Sequence, residues 1–240
     1  MVFYSFFTQK NECITIDMEN PVYHYWVNDN EDVMTYRDDG HAIEIACKPF
    51  SLDTIELNTS LELEKNEDNE AQAILDAHNL IEKKFICIEP NTKKTFTANK
   101  QWPVTSWQEF VNKLQKLLDT KKLPYSIVQV GSGDGVVLHG VINLSGKTRF
   151  RHLKYILSKS NLTVVNEGGI AHLSSCIKTP TIVICNPSLP KKLMAYPQHI
   201  NIFPKNAVHA CGLKKSCPVC EELLKSITPD VLISEASNIL

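Results

Sequence analysis

Residues 164–173 read VVNEGGIAHL, an apolar run that ends in Asn166 and Glu167, passes two glycines and reaches His172 one helical turn later. Gly168 and Gly169 carry no side chain and tolerate positive φ, so the backbone can approach a ligand closely. The N–H groups opening the next helix would face an anion, and an imidazole could donate to a phosphate. Read alone, the same residues favour a plain strand-to-helix turn with a satisfied histidine. Lys100 in "NKQWP", with Lys93 and Lys94 upstream, could set positive charge over a departing diphosphate. A solvated loop lysine is the common alternative. Asp134 in "GSGDG" could accept hydrogen bonds from a ribose, though turn chemistry explains it almost as well. In "CGLKKSCPVC" the Cys217–Cys220 spacing suits two thiolates on one metal, with Cys211 as a third ligand and His209 the nearest fourth. Free thiols at a helix start are an equal alternative. The acidic runs "VNDNEDV" and "RDDG" read as loop surface.

These residues need a scaffold, and the pattern from Phe85 onward supplies one. "FICIEP", "YSIVQV", "VIN", "LTVV", "TPTIVIC" and "INIF" are short strands, mostly apolar throughout. Between them lie helical patterns. "SWQEFVNKLQKLLDTKK" has Ser106 and Glu109 in capping-box register, and "RFRHLKYILSKS" and "IAHLSSCI" follow. "TPDVLISEASNIL" closes the chain with Thr228 as N-cap and Pro229 at the first helical position. Apolar strands alternating with amphipathic helices imply a doubly wound α/β domain whose parallel sheet is covered on both faces. Its strand-end loops, holding Lys100, Asp134 and Glu167, open on one edge. Upstream, "EAQAILDAHNLIEKK" places Ala71, Ile74, Leu75, His78 and Ile81 at helical spacing. Residues 51–70 read as a β-like segment running into a charged connector, and residues 1–50 show no sustained period.

At 240 residues and 43% hydrophobic, the chain can bury a sizeable core. A net charge of −2 offers no general hold on nucleic acid or anionic membrane. No apolar stretch nears the roughly 20 residues of a transmembrane segment. The opening lacks signal-peptide features, so a cytoplasmic protein is expected. Cys87, Cys176 and Cys185 sit in apolar runs, where reduced thiols act as small hydrophobes.

The ordered set "FICIEP", "NKQWP", "LSGKTRFRHLKYIL", "NEGGIAHLSSCIKTPTIVI", "YPQHINI" and "ITPDVLISEASNIL" resembles the C-terminal half of glycosyltransferase family 9, the heptosyltransferases of lipopolysaccharide assembly, over residues 41–240. The resemblance implies the GT-B plan, with a Rossmann-like donor domain at 81–240 preceded by a reduced or truncated N-terminal region at 1–80. It implies inverting, metal-independent transfer from a nucleotide-diphosphate sugar, ADP-heptose being the family's best-known donor, to a glycan or protein acceptor. Lys100 resembles the family's phosphate-contacting lysine, and Gly169 and His172 match its signature. Glu167 stands where the family has aspartate and Gly168 where it has serine or threonine. The resemblance adds a cysteine finger holding structural iron or zinc in some members, with no cofactor required for transfer. The family's general base, near the start of its acceptor domain, has no counterpart among Asp17, Asp29 and Asp38, so a partner chain supplying that domain is an expectation. The alternatives are a non-catalytic nucleotide-sugar-binding module and a nucleotide-sugar epimerase.

Overall fold

The computed structural model describes residues 3–7, 13–17, 26–30, 33–36, 40–47, 55–63, 65–92, 98–205, 210–213 and 215–240. Lys93, Lys94 and His209 lie outside the described residues. Two antiparallel pairs come first, β1 (Phe3–Phe7) with β2 (Cys13–Asp17) and β3 (Trp26–Asn30) with β4 (Val33–Tyr36). Residues 27–30 and Val33 of the "VNDNEDV" run therefore lie in strands, which corrects their reading as loop, while Glu31, Asp32 and residues 37–39 of "RDDG" lie outside the described residues. Helix α1 (Ala42–Cys47) follows, with the His41 N–H donating to Glu44 Oε2 at 2.8 Å across its first turn.

The body of the chain is one sheet of six parallel strands. They are β5 (Phe85–Glu89), β6 (Ser126–Gln129), β7 (Ile142–Asn143), β8 (Leu162–Asn166), β9 (Thr181–Ile184) and β10 (Ile200–Ile202). Their spatial order is β10-β9-β8-β5-β6-β7. Counted from β5, this is the 3-2-1-4-5-6 order of the dinucleotide-binding fold, whose connections reverse direction between β5 and β8. Side-chain alternation divides the core into two layers. Phe85 and Cys87 face α2 (Lys65–Ala77) and α4 (Phe150–Lys159), while Ile86 and Ile88 face α3 (Val104–Thr120) and α7 (Pro229–Ile239).

Several boundaries differ from the sequence reading. Helix α3 starts at Val104 after Pro103, with no side-chain cap, so Ser106 lies inside it and Glu109 pairs with Lys113 instead. Pro103 fixes its own φ at −53° and launches the helix earlier than Ser106 would. Helix α2 begins within the charged connector and ends at Ala77, because Asn79 and Lys83 adopt positive φ; Ile81 is left 61% exposed. The acidic start of α2 is used, since Glu67 pairs with Arg151 and Glu70 with Arg149 and His152 on α4.

Trp102 is fully buried against Trp107, and its Nε1 donates to the Ile227 carbonyl at 3.0 Å just before α7. The tryptophan thus pins the loop after β5 to the far end of the chain. Trp102→Phe keeps most of the ring but strands a buried carbonyl, for an expected loss of about 1–3 kcal/mol. Trp102→Ala also opens a cavity and should lose about 3–5 kcal/mol. Urea unfolding of the two variants checks the ranking.

Candidate functional site

The loops leaving β5 and β8 emerge side by side at the point where the strand order reverses. Asn166 Nδ2 ties the two strands there by donating to the Glu89 carbonyl at 3.2 Å. Glu167 leaves β8 with its carboxylate only 4% exposed, and Lys100 reaches it from the β5 loop, Nζ to Oε1 at 3.1 Å. Lys100 is itself only 14% exposed, so the pair lies largely out of water.

Lys100 is held by its neighbours, each anchored to a different element. It ends a single 3-10 turn, Ala98–Lys100. Asn99 before it is fully buried, donating to the carbonyls of Leu213 and Lys215 and accepting from the Cys217 N–H at 2.8 Å. Gln101 after it donates to the Pro90 carbonyl and accepts from the Thr92 N–H, closing the base of the loop. Trp102 completes the set. "NKQW" is therefore three anchors around one cation. Asn99 and Gln101 carried no signal in the sequence beyond their place beside Lys100.

His172 sits in α5 (Gly169–Ser174), with Nδ1 2.9 Å from the Tyr196 hydroxyl. Nε2 has no protein partner among the described residues, so it is the nitrogen left for a ligand. Burial lowers the imidazole pKa, Glu167 partly offsets this and Lys100 adds to it, so the neutral ring is favoured. In the tautomer that accepts from Tyr196 at Nδ1, the ring proton lies on Nε2, the form that can donate to a phosphate oxygen. The His172 carbonyl is clasped by the hydroxyls of Thr59 and Ser175, both at 2.8 Å. The residue 55–63 segment thus lies across the helix. Tyr196, missed in sequence, packs edge-on against His41 and His172, with His199 tilted beside it.

The glycines act differently from expectation. Neither Gly168 nor Gly169 adopts the left-handed conformation that favours glycine, and Gly168 at φ 166° is extended backbone open to any residue. A Cβ on Gly168 would meet nothing within 4 Å, so open space lies over the loop beside Lys100 and His172. Helix α5 has only six residues, so its dipole is weak and an anion here would rely mainly on side chains. Asp134 stands exposed one strand over, in the turn after β6. That turn is fixed by packing: a Cβ on Gly135 would lie 2.1 Å from Asn91, and one on Gly146 2.8 Å from the Gly133 backbone. Lys100, Glu167, Gly168, Gly169 and His172 are thus brought together, while Asp134 stands on the neighbouring loop.

Some polar groups at the site lack partners. Among the described residues, Glu167 Oε2, Asn166 Oδ1 and Asn186 Nδ2 are buried with no hydrogen bond, a state costing about 1–3 kcal/mol each unless a ligand or water relieves it. Glu89, at the end of β5, has its carboxyl pKa raised well above the usual range by burial. Farther along, the thiols of Cys211, Cys217 and Cys220 lie within 4.8 Å of one another, with Cys211 and Cys220 sulfurs 3.4 Å apart. Tetrahedral sulfur ligands about 2.3 Å from a metal stand about 3.8 Å apart, so this donor set fits. Burial raises the Cys217 thiol pKa, but hydrogen bonds from the Cys220 and Val219 backbone and the other thiols outweigh it, and the net shift is downward.

The profile of glycosyltransferase family 9 (heptosyltransferase) matches residues 3–221. The chain belongs to glycosyltransferase family 9. The match begins well upstream of residue 41, taking in the strand pairs that showed no period. No curated protein sequence matches the chain. Among solved structures, it is similar to the family 9 glycosyltransferase of Veillonella parvula, with a TM-score of 0.63, 15% identity and coverage of 85% of this chain and 61% of that one. The iron-containing dodecameric glycosyltransferase TibC of enterotoxigenic E. coli gives 0.58 and 16%, covering 91% and 57%. E. coli ADP-heptose LPS heptosyltransferase II gives 0.54 and 18%, covering 75% and 53%. The family 9 chain therefore spans little more than half the length of these structures. They bear out its doubly wound α/β, Rossmann-like fold. Among the described residues, no helix is long and apolar enough to cross a membrane.

Burial holds His41 and His199 at about 4, against 6.5 for an exposed imidazole. The unfolded chain binds more protons between these values, so stability from the neutral rings is full above pH 6.5 and lost as pH falls toward 4. Glu89 acts oppositely, keeping a proton that the unfolded chain releases. Comparing wild type with the His41→Gln/His199→Gln variant cancels Glu89. Wild type should lose stability relative to the variant as pH drops through this window, read from urea midpoints.

Proposed function

We propose that this family 9 chain binds a nucleotide-diphosphate sugar and transfers the sugar, with inversion, to an acceptor hydroxyl. The observation that carries this reading is the convergence of Lys100, Glu167 and His172 on the point where the strand order reverses, beside open space over Gly168. In the transfer, the acceptor oxygen attacks the anomeric carbon and the bond from that carbon to the phosphate oxygen breaks. The diphosphate leaves with the electron pair. Lys100 neutralises the developing charge and His172 Nε2–H donates to a phosphate oxygen, with no metal in the step. The acceptor proton passes to a base outside this cradle, supplied by an acceptor-side partner chain. Solved TibC carries ADP-D-β-D-heptose in one complex, which supports an ADP-heptose-like donor here. A glycan of lipopolysaccharide type, or a protein, is the proposed acceptor, and the cytoplasm the proposed compartment. The same reading assigns residues 81–240 to nucleotide-sugar binding, residues 1–80 to a reduced acceptor-side region, and a ribose contact to Asp134.

Titration calorimetry with ADP-, UDP- and GDP-sugars tests the proposal; a folded protein that binds none of them overturns it. Gly168→Val separates ligand binding from folding. A Cβ there meets nothing in the protein within 4 Å, so stability should hold within about 0.5 kcal/mol, read from the urea midpoint. Nucleotide-sugar affinity should fall about tenfold or more, because the valine fills the ligand's space.

We also infer a structural iron or zinc ion on Cys211, Cys217 and Cys220. The lowered Cys217 pKa and the sulfur spacing support it. The ion's chemistry is that of a cross-link between the cysteine loop and α6 (Pro218–Lys225), remote from transfer. Purified protein should carry about one metal per chain by elemental analysis. Cys217→Ser/Cys220→Ser should carry none and melt at a lower temperature.

A further inference from the structure

Thr59 and Ser175 clasp the backbone of His172, but a clasped backbone does not fix the imidazole, whose last torsion is broad and roughly two-fold. Among the described residues the ring makes one hydrogen bond, from Nδ1 to the Tyr196 hydroxyl at 2.9 Å. Tyr196 lies outside the helices and strands, yet it is firmly held. Its carbonyl accepts from Asn201 Nδ2 on β10 at 2.8 Å and from the His199 N–H at 3.2 Å. Its ring stands edge-on to His41, with centroids 4.8 Å apart, and tilted against His199 at 5.4 Å. His41 is fastened in turn, because the adjacent Ala42 N–H donates to the Leu193 carbonyl at 2.9 Å. Only 3% of Tyr196 is exposed. The edge strand β10 thus carries, through Asn201, a caged phenol across to α5.

A phenol and a neutral imidazole can share one proton position in two ways. If the phenol donates to Nδ1, the ring proton lies on Nε2 and is offered to the ligand. If Nδ1 donates to the phenol, Nε2 is a bare acceptor with nothing to give a phosphate oxygen. Burial pushes the Tyr196 pKa up to about 12, so the phenol keeps its proton across the neutral range. That proton has few other places to go. His41 Nε2 and both ring nitrogens of His199 make no hydrogen bond among the described residues, although both rings pack on Tyr196. The nearby Ser175 hydroxyl is already engaged, accepting from the Thr59 N–H at 2.9 Å and donating to the His172 carbonyl at 2.8 Å. The phenol is left with Nδ1 as its acceptor.

We propose that Tyr196 is a positioning residue for the transfer, its hydroxyl turning His172 so that Nε2–H meets the departing diphosphate. The inference rests on the nucleotide-sugar reading of the cradle. Calorimetry on wild type, Tyr196→Phe, His172→Ala and the double variant tests it, with whichever of ADP, UDP and GDP wild type binds most tightly. Tyr196→Phe should weaken the diphosphate about five- to tenfold when His172 is present, the scale of one hydrogen bond, and by less than about twofold when it is absent. NMR of nitrogen-labelled histidine, with His172 assigned by its absence from the alanine variant, should show the proton on Nε2 in wild type. In Tyr196→Phe the Nδ1 resonance should move toward that of a nitrogen without a hydrogen bond. If His172→Ala does not fold, His172→Asn replaces it, since its amide is too short to reach the place of Nε2. A Tyr196→Phe variant that binds as wild type does, an equal loss with and without His172, or a wild-type ring protonated on Nδ1 overturns the role of Tyr196 and leaves the cradle standing. His172→Ala that binds as tightly as wild type, or wild type that binds none of the nucleotides, overturns the cradle and the positioning role with it.

Discussion

The organisation of this protein turns on an ion pair kept largely out of water at the reversal point of a parallel sheet. Removing two charges from water is costly, and their attraction repays this only when geometry and extra hydrogen bonds are good. Here Glu167 gives one oxygen to Lys100 and leaves the other unmet among the described residues, so the pair is not optimised for stability alone. A cation held this firmly, with open space above the adjacent glycine, suits a transient anion better than a finished core. The anchors around Lys100 make sense in that light. Asn99, Gln101 and Trp102 hold the backbone so that a long, flexible side chain arrives at one place.

Much of the scaffold could be read from residue order. Uninterrupted apolar strands such as "FICI" and "LTVV" required a sheet covered on both faces, and the "TPD" start of α7 marked a helix with proline at its first position. The convergence of Lys100 with Glu167 and His172 followed from recognising the loops as strand-end loops. What stayed hidden were single polar residues whose importance comes from long-range partners. Asn99 bonds to a loop more than a hundred residues away, and Tyr196 reaches back to His172 and His41. No local pattern encodes such contacts. The capping-box reading at Ser106 failed because Pro103 had already set the backbone, and the glycine argument at 168 failed because the conformation there is ordinary. Glycine is needed instead at Gly135 and Gly146, where neighbouring loops press together.

Asn99 joins two regions that the sequence presents as separate. It sits one residue from Lys100 and holds the loop between Cys211 and Cys217 through three hydrogen bonds. A cross-link among the three thiols would stiffen that loop and, through Asn99, the turn that carries the cation. A metal at the proposed cysteine site would in this way bear on the position of Lys100 without touching it.

Helix α2 shows how far the sheet's covering extends upstream. Ala71 and Leu75 are buried in the same layer as Leu153, Ile156 and Val165, and the helix is riveted to α4 by its acidic first turns. An excised fragment starting at residue 81 would bare that greasy flank and forfeit the Thr59 clasp on α5. Anyone preparing the parallel-sheet half in isolation should cut ahead of the 55–63 segment, or expect the piece to stick to itself.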